Sequence, residues 1–283
     1  NIILIILETF SAKLIEPLGG EPGVTPAFNE LAREGVLFSN IYSSDSRTDK
    51  GLATIISGYP VLEAIPILRY PEKSNKLPFL SLSLMQEGYQ ATFSYGGEID
   101  FANMRSYLIN GKFGKILSDE HYPRSERSGK WGIPDHIMFE NFFNEVMQEE
   151  KPFFKVLMTL SHHEPFETPT TPKFGDSNLT ERFLSSAYYA DSCLGAFVDK
   201  MKRSPHWNNC LIIMVADHGS SLPDHSQYHE PAKYKIPMLW LGGALKKDSV
   251  VSKYCAQSDI AVTLLHQMGI SSEKYILLSL IHI

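Results

Sequence analysis

The chain has 283 residues, 43% hydrophobic, 20% charged and 11% aromatic, a balance that suits one large globular domain or two small ones and excludes disorder, a collagen-like repeat and a coiled coil. Its 26 basic and 32 acidic residues give a net charge of −6, and no basic cluster stands out, so nucleic acid is not an expected partner. Cys193, Cys210 and Cys255 lie far apart, without metal-type spacing or a disulfide framework. No apolar run approaches the roughly 20 residues of a membrane span, and no basic-flanked signal peptide is present.

The chain opens at Asn1 directly into the apolar run Ile2 to Leu7, which reads as a strand buried on both faces and as the start of a piece cut from a longer protein. Thr25 and Pro26 then suggest an N-cap and first position for a helix over 26–34. Further helices are expected over 49–56 and 80–87, a strand over 89–94, a long polar loop over 118–132 and a helix over 135–148. Residues 153–160 read as a second buried strand, followed by a Pro-rich loop over 164–177. In 179–202, Phe183, Leu184, Ala187, Leu194, Phe197, Val198 and Met201 recur at helical spacing, and 211–215 is again a buried strand. Strand, crossover helix, strand is the unit of a parallel sheet and places the chain in the α/β class. A strand over 235–241 follows, and a domain end falls near Gly269. The apolar tail 276–283 reads as a strand or a non-native extension of a catalytic domain covering 1–275.

In open α/β sheets ligands bind beyond the carboxyl ends of strands. Three of the expected strands run into Glu8-Thr9, Ser161-His162-His163-Glu164 and Asp217-His218-Gly219. Each alone is more often a solvated loop residue or a cap than a ligand. Together, two carboxylates and up to three imidazoles have the composition of a divalent-metal site. Thr48 precedes the helical run from Leu52, near a helix N-terminus whose N–H groups and dipole favour a phosphate or sulfate. It reads either as a plain N-cap or as a nucleophile, and a neutral alcohol at pH 7 needs the activation that a metal supplies.

These residues together resemble the alkaline phosphatase/sulfatase superfamily, in particular its lipoteichoic acid synthase-like branch of phosphoglycerol transferases. The resemblance runs over nearly the whole chain: Ile5 to Leu7 before Glu8-Thr9-Phe10-Ser11, Thr25-Pro26, Ser46-Arg47-Thr48 with Ile56-Ser57-Gly58-Tyr59-Pro60, Ser161 to Phe166, Ala216-Asp217-His218-Gly219, Tyr234-Lys235-Ile236-Pro237-Met238-Leu239 and Gln257-Ser258-Asp259-Ile260. It implies an alkaline phosphatase-like three-layer sandwich, a mostly parallel sheet with helices on both faces. It further implies that Glu8, Thr48, Asp217 and His218 bind one divalent ion, usually Mn²⁺, with Mg²⁺ or Zn²⁺ also suited to the donor set. By the same resemblance Thr48 is the nucleophile and His163 contacts the substrate phosphate.

The pattern also departs from the family. No cysteine stands in the Cys-x-Pro-x-Arg-like context of sulfatases, which disfavours sulfate ester hydrolysis. The Trp-x-Arg pair that binds a glycerol-phosphate headgroup is replaced by Asp100-Phe101-Ala102-Asn103-Met104-Arg105, with Arg105 the substitute for the arginine. Arg47 is an alternative phosphate clamp. His225 and His229 stand near a leaving group or second metal, with His229 taken as substrate-binding, or else are loop histidines. The expected activity is phosphoglycerol-type transfer from a phospholipid headgroup to an alcohol or glycan. Phosphoethanolamine transfer, phosphodiester or sulfate ester hydrolysis, and an inactive lipid- or glycan-binding module are the alternatives. The resemblance places the domain on the extracytoplasmic face of a bacterial cytoplasmic membrane, held there by a segment preceding residue 1.

Overall fold

The structure is a computed structural model and describes residues 1–62 and 64–275; the apolar tail 276–283 lies outside the described residues. In chain order the first half contains β1 (Ile2–Leu7), α1 (Pro26–Leu31), β2 (Val36–Tyr42), α2 (Thr48–Ser57), α3 (Pro71–Ser74), α4 (Leu80–Gln86), β3 (Gln90–Tyr95), α5 (Met104–Asn110) and β4 (Lys115–Leu117). The second half contains α6 (Asp135–Met147), β5 (Phe153–Met158), α7 (Leu179–Lys202), β6 (Leu211–Ala216), β7 (Lys235–Leu241), β8 (Ser249–Val251), β9 (Cys255–Ala256) and α8 (Asp259–Gln267).

The strands form one sheet in the order β4-β3-β5-β1-β6-β7-β2-β8, with β9 also against β2. β1 runs parallel between β5 and β6, in the register Ile2↔Phe154 and Leu7↔Ala216. All six of its side chains are buried, as expected of a central strand with helices on both faces. Two groups of helices provide that cover: α6 and α1 pack on α7, while α4 and α8 pack on α2. The sheet is parallel except at β7, which is antiparallel to both β6 and β2.

The expected strand over 153–160 ends at Met158, but Thr159 N still donates to Ile6 O at 2.9 Å and Asp217 N to Leu7 O at 3.1 Å. These bonds bring the chain ends after β1, β5 and β6 to one level of the sheet edge. The helix expected over 26–34 stops at Leu31, and Thr25 stands at its cap position, as expected, but makes no side-chain capping bond. The Thr25 hydroxyl donates instead to Leu14 O at 2.7 Å, and the free N–H groups of Ala27 and Phe28 reach the Asp191 carboxylate of α7, each at 2.8 Å.

Candidate metal centre and active site

Glu8 and Asp217 leave adjacent parallel strands and are almost wholly buried, at 1% and 0% exposure. One ligand atom from each of Glu8, Asp217 and His218 lies within 4.8 Å of the others. Asp217 Oδ1 accepts from Thr9 N at 2.8 Å and from His218 N at 2.7 Å. Its Oδ2 has no hydrogen-bond partner though buried, and such an atom costs about 1–3 kcal/mol unless something meets it. Thr9 turns the chain in a left-handed conformation, φ 53°, and its hydroxyl donates to Glu8 Oε1 at 2.7 Å. Burial, with Asp217 beside it, pushes the Glu8 carboxyl up to about 8. Two buried carboxylates without a cation repel, and the orphaned Oδ2 and the raised Glu8 are what a divalent ion would correct.

His218 completes this donor set in the right tautomer. Its Nδ1 donates to Gly219 O at 2.8 Å, which leaves the Nε2 lone pair facing Glu8 Oε1 at 3.7 Å and Asp217 Oδ2 at 3.5 Å. A carbonyl fixing one ring nitrogen so that the other binds is the usual support of a metal-bound imidazole. Burial opposes a charge on His218, but the Asp217 and Glu8 carboxylates together hold its pKa above the ordinary histidine value. The residues fit one divalent ion with mostly oxygen donors.

Thr48 is the first residue of α2, and Arg47 occupies the cap position. The cap reading of Thr48 is therefore set aside in geometry: its hydroxyl lies 3.3 Å from Glu8 Oε2 and 3.5 Å from Oε1. It stands where the first N–H groups of a ten-residue helix point, and these groups favour an anion. Two glycines allow the approach. A Cβ on Gly51 would overlap the Asp217 carbonyl oxygen, and one on Gly219 would overlap the Lys233 carbonyl oxygen.

Glu8, Thr48, His218 and Gly219 line an open cleft of about 570 Å³, together with Thr9, Arg47, Phe101, His163, His225, Tyr228 and Lys233. Arg47 makes a two-bond ion pair with buried Asp49, at 3.2 and 3.3 Å. His163 packs against Trp131 with ring centroids 4.4 Å apart and the planes tilted by 57°. Its Nδ1 donates to Glu164 O at 2.9 Å, a carbonyl that also accepts from Trp131 Nε1 at 2.6 Å. Asp135, first residue of α6, holds this loop through Leu160 N and Ser161 N, at 2.8 and 3.2 Å.

The other expected site residues lie elsewhere. Arg105 is bound to Asp100 and Glu120, at 2.8 Å each, and does not line the cleft. His229 is exposed on the loop beyond His225 and does not line it either. His162 is a core residue: it packs among Phe10, Phe166 and Phe183, its Nδ1 lies 2.7 Å from Ser186 Oγ, and burial lowers it to about 3. Supports that local sequence did not point out are Thr159, whose hydroxyl accepts from Glu8 N at 2.9 Å, and Gln257. The Gln257 side chain is fully buried and donates to Ala216 O and Asp217 O, at 2.6 and 2.7 Å. Among the described residues no helix is long and apolar enough to cross a membrane.

Comparison with known proteins agrees with this geometry. The chain is 27% identical over 304 residues to a lipoteichoic acid synthase of Staphylococcus saprophyticus, covering 98% of this chain and 46% of that protein. It thus spans about half the length of the curated relatives it matches. A Vibrio parahaemolyticus protein of the alkaline phosphatase superfamily superposes with a TM-score of 0.85 at 26% identity, over 95% of this chain and 66% of that one. The lipoteichoic acid synthase LtaP of Listeria monocytogenes gives a TM-score of 0.85 at 19% identity, over 96% and 72%. The fold is that of the alkaline phosphatases, and the profile of the family described as Sulfatase matches residues 1–270. With its strand-end carboxylates, its buried imidazole and its fold all in agreement, the chain belongs to the sulfatase family of enzymes.

Proposed function

We propose that this chain is a metal-dependent phosphoryl-group transferase of the phosphoglycerol type, with Thr48 as nucleophile and a phospholipid headgroup as substrate. The observation that carries the reading is the convergence of Thr48 Oγ1 on Glu8, within the cluster that Glu8 forms with Asp217 and His218. Those four residues would hold one divalent ion, Mn²⁺ by preference, which when bound supplies Lewis acidity toward a hydroxyl and a phosphoryl oxygen. Glu8 accepts the Thr48 hydroxyl. As the Thr48 oxygen bonds to phosphorus, the ester bond to the lipid alcohol breaks, and the Thr48 proton leaves on that alcohol. The α2 N-terminus and His163 face the charge that spreads over the phosphoryl oxygens. An alcohol or glycan then takes the group from threonine, its proton passing to the threonine oxygen as that bond is cleaved. We take this chemistry to act at the extracytoplasmic face of a bacterial membrane, a reading that the likeness to lipoteichoic acid synthases supports.

Arg105, held by Asp100 and Glu120, favours a second reading on the same centre: a headgroup other than glycerol phosphate, or plain phosphodiester hydrolysis. A cysteine-derived sulfatase nucleophile has no counterpart, since Cys193, Cys210 and Cys255 are all buried and none lines the cleft. Thr48→Ala tests both phosphoryl readings. With Mn²⁺ at saturating concentration it should still take up metal through Glu8, Asp217 and His218 and lose turnover of phosphatidylglycerol and of bis-p-nitrophenyl phosphate by about 10³-fold or more. Near-parental turnover refutes the nucleophile. The headgroup is read by intact mass of the parent after incubation with phosphatidylglycerol or phosphatidylethanolamine.

A further inference from the structure

Cations around the cleft are matched to carboxylates, with one exception among the described residues. Arg47 is bound to Asp49, Lys50 to Asp45 and Lys13 to Asp224, and Glu230 accepts from Gln227 N. Lys233 also lines the cleft and is only 5% exposed, yet among the described residues it has no carboxylate partner. Its ammonium is met by the ring face of Tyr228, 3.2 Å from the centroid. Tyr228 is itself 74% exposed and is held over Lys233 by the bond from Tyr234 Oη to Tyr228 O, 2.9 Å. The backbone of Lys233 in turn packs on Gly219, next to His218, closely enough that a Cβ there would overlap its carbonyl.

A ring face contributes about 0.5–2 kcal/mol to a cation, while removing an ammonium from water costs several. The fold therefore keeps a costly positive charge without a carboxylate partner on a cleft that Glu8 also lines, under a side chain that is largely exposed to solvent. Structural lysines in this protein are treated differently: buried Lys155 has Glu149 at 2.7 Å. Desolvated positive charge facing an open cleft is complementary to an oxyanion, and a charge-assisted bond to phosphate recovers what burial loses.

We propose that Lys233, with Tyr228 as its cover, is a phosphate-binding subsite of this cleft and determines specificity for anionic substrates. This deepens the phosphoryl-transfer reading and rests on it. The phosphate oxygens it holds belong either to the group that reaches Thr48 or to a second phosphate on the headgroup or acceptor. Binding of dimethyl phosphate and of propane-1,3-diyl bisphosphate to the Mn²⁺-loaded protein, measured by titration calorimetry, separates these sources. Lys233→Met should weaken binding by roughly tenfold or more, while Lys233→Arg should stay within about threefold and Mn²⁺ uptake should be unchanged in both. Loss toward both probes assigns the reacting phosphate, and loss toward the bisphosphate alone assigns a second one. Tyr228→Glu, at an exposed position that does not threaten folding, places a carboxylate over the ammonium and should weaken binding in the same direction. Parental binding of both probes by Lys233→Met and Tyr228→Glu overturns the proposal, as does a parent that binds neither probe. Thr48→Ala keeps the two ideas apart: it should still bind both probes even though turnover is lost.

Discussion

Replacement of Gly51 by alanine separates packing at the site from helix propensity, because the two act in opposite directions. Gly51 lies inside α2, where exchanging glycine for alanine ordinarily stabilises a helix by about 0.5–1 kcal/mol. Here the added Cβ overlaps the Asp217 carbonyl oxygen and sits 2.9 Å from its carbon, against the 3.4 Å at which ordinary contact begins. The helix must retreat by at least the difference, 3.4 − 2.9 = 0.5 Å, and further to clear the oxygen. Thr48 lies one turn back on the same helix and moves with it, away from the 3.3 Å approach to Glu8 Oε2. Overpacking of this kind costs about 1–3 kcal/mol, and a displacement of about 1 Å at a reacting group costs about a hundredfold in rate. Gly51→Ala should therefore lower the melting temperature and reduce Mn²⁺-dependent turnover of bis-p-nitrophenyl phosphate by tenfold or more. A variant that melts higher than the parent and turns over within threefold of it would refute the packing argument.

Divalent metal should stabilise the folded chain. Mn²⁺ at about a hundred times its Kd adds about 2.7 kcal/mol, a rise of roughly 5–10 °C in melting temperature, and Asp217→Asn should abolish the rise; an equal rise in that variant would move the ion elsewhere. Asp191 gives a pH test away from the cleft. Its carboxyl is pushed up to about 7 by burial, so the native state binds a proton that the unfolded chain, near 4, does not. Parental stability should accordingly fall as pH rises from about 4 to 7. Asp191→Asn loses that slope and is destabilised near pH 4 by about 1–3 kcal/mol through the Ala27 and Phe28 N–H groups, so the gap between the two proteins narrows toward pH 7. Parallel pH curves would show that Asp191 does not titrate in this window.

The central strands and the residues at their ends were legible because burial on both faces leaves a mark that needs no partner: β1 and β6 are nearly unbroken aliphatic runs. β2 escaped because Ser39 and Asn40 interrupt it. There the pairing with β7 shifts between Phe38 and Ile41, and the two polar side chains donate to Val251 O and Ser252 O, contacts that no local period can announce. β4, β8 and β9, at two or three residues, are too short to show a period at all. Thr25 and Thr48 illustrate one ambiguity with two outcomes. Both stand at the start of a helix, yet the first free N–H groups of α1 are met by a carboxylate more than 160 positions away, and Thr48 is turned toward Glu8. Distance in sequence likewise hid the support that Thr159 gives Glu8 and Gln257 gives Asp217.

The bond between Thr9 and Asp217 joins residues 208 positions apart, and this governs when the centre can come into being. Contacts of such long range form late and slowly, since loop closure precedes any reward. Glu8 is synthesised well before its neighbour: its strand has no β6 beside it until Leu211–Ala216 has emerged. Thr48, Glu8, Asp217 and His218 thus come together only once these distant strands have paired, so a chain that ends before β6 carries Glu8 and Thr48 without the partners that complete the cluster.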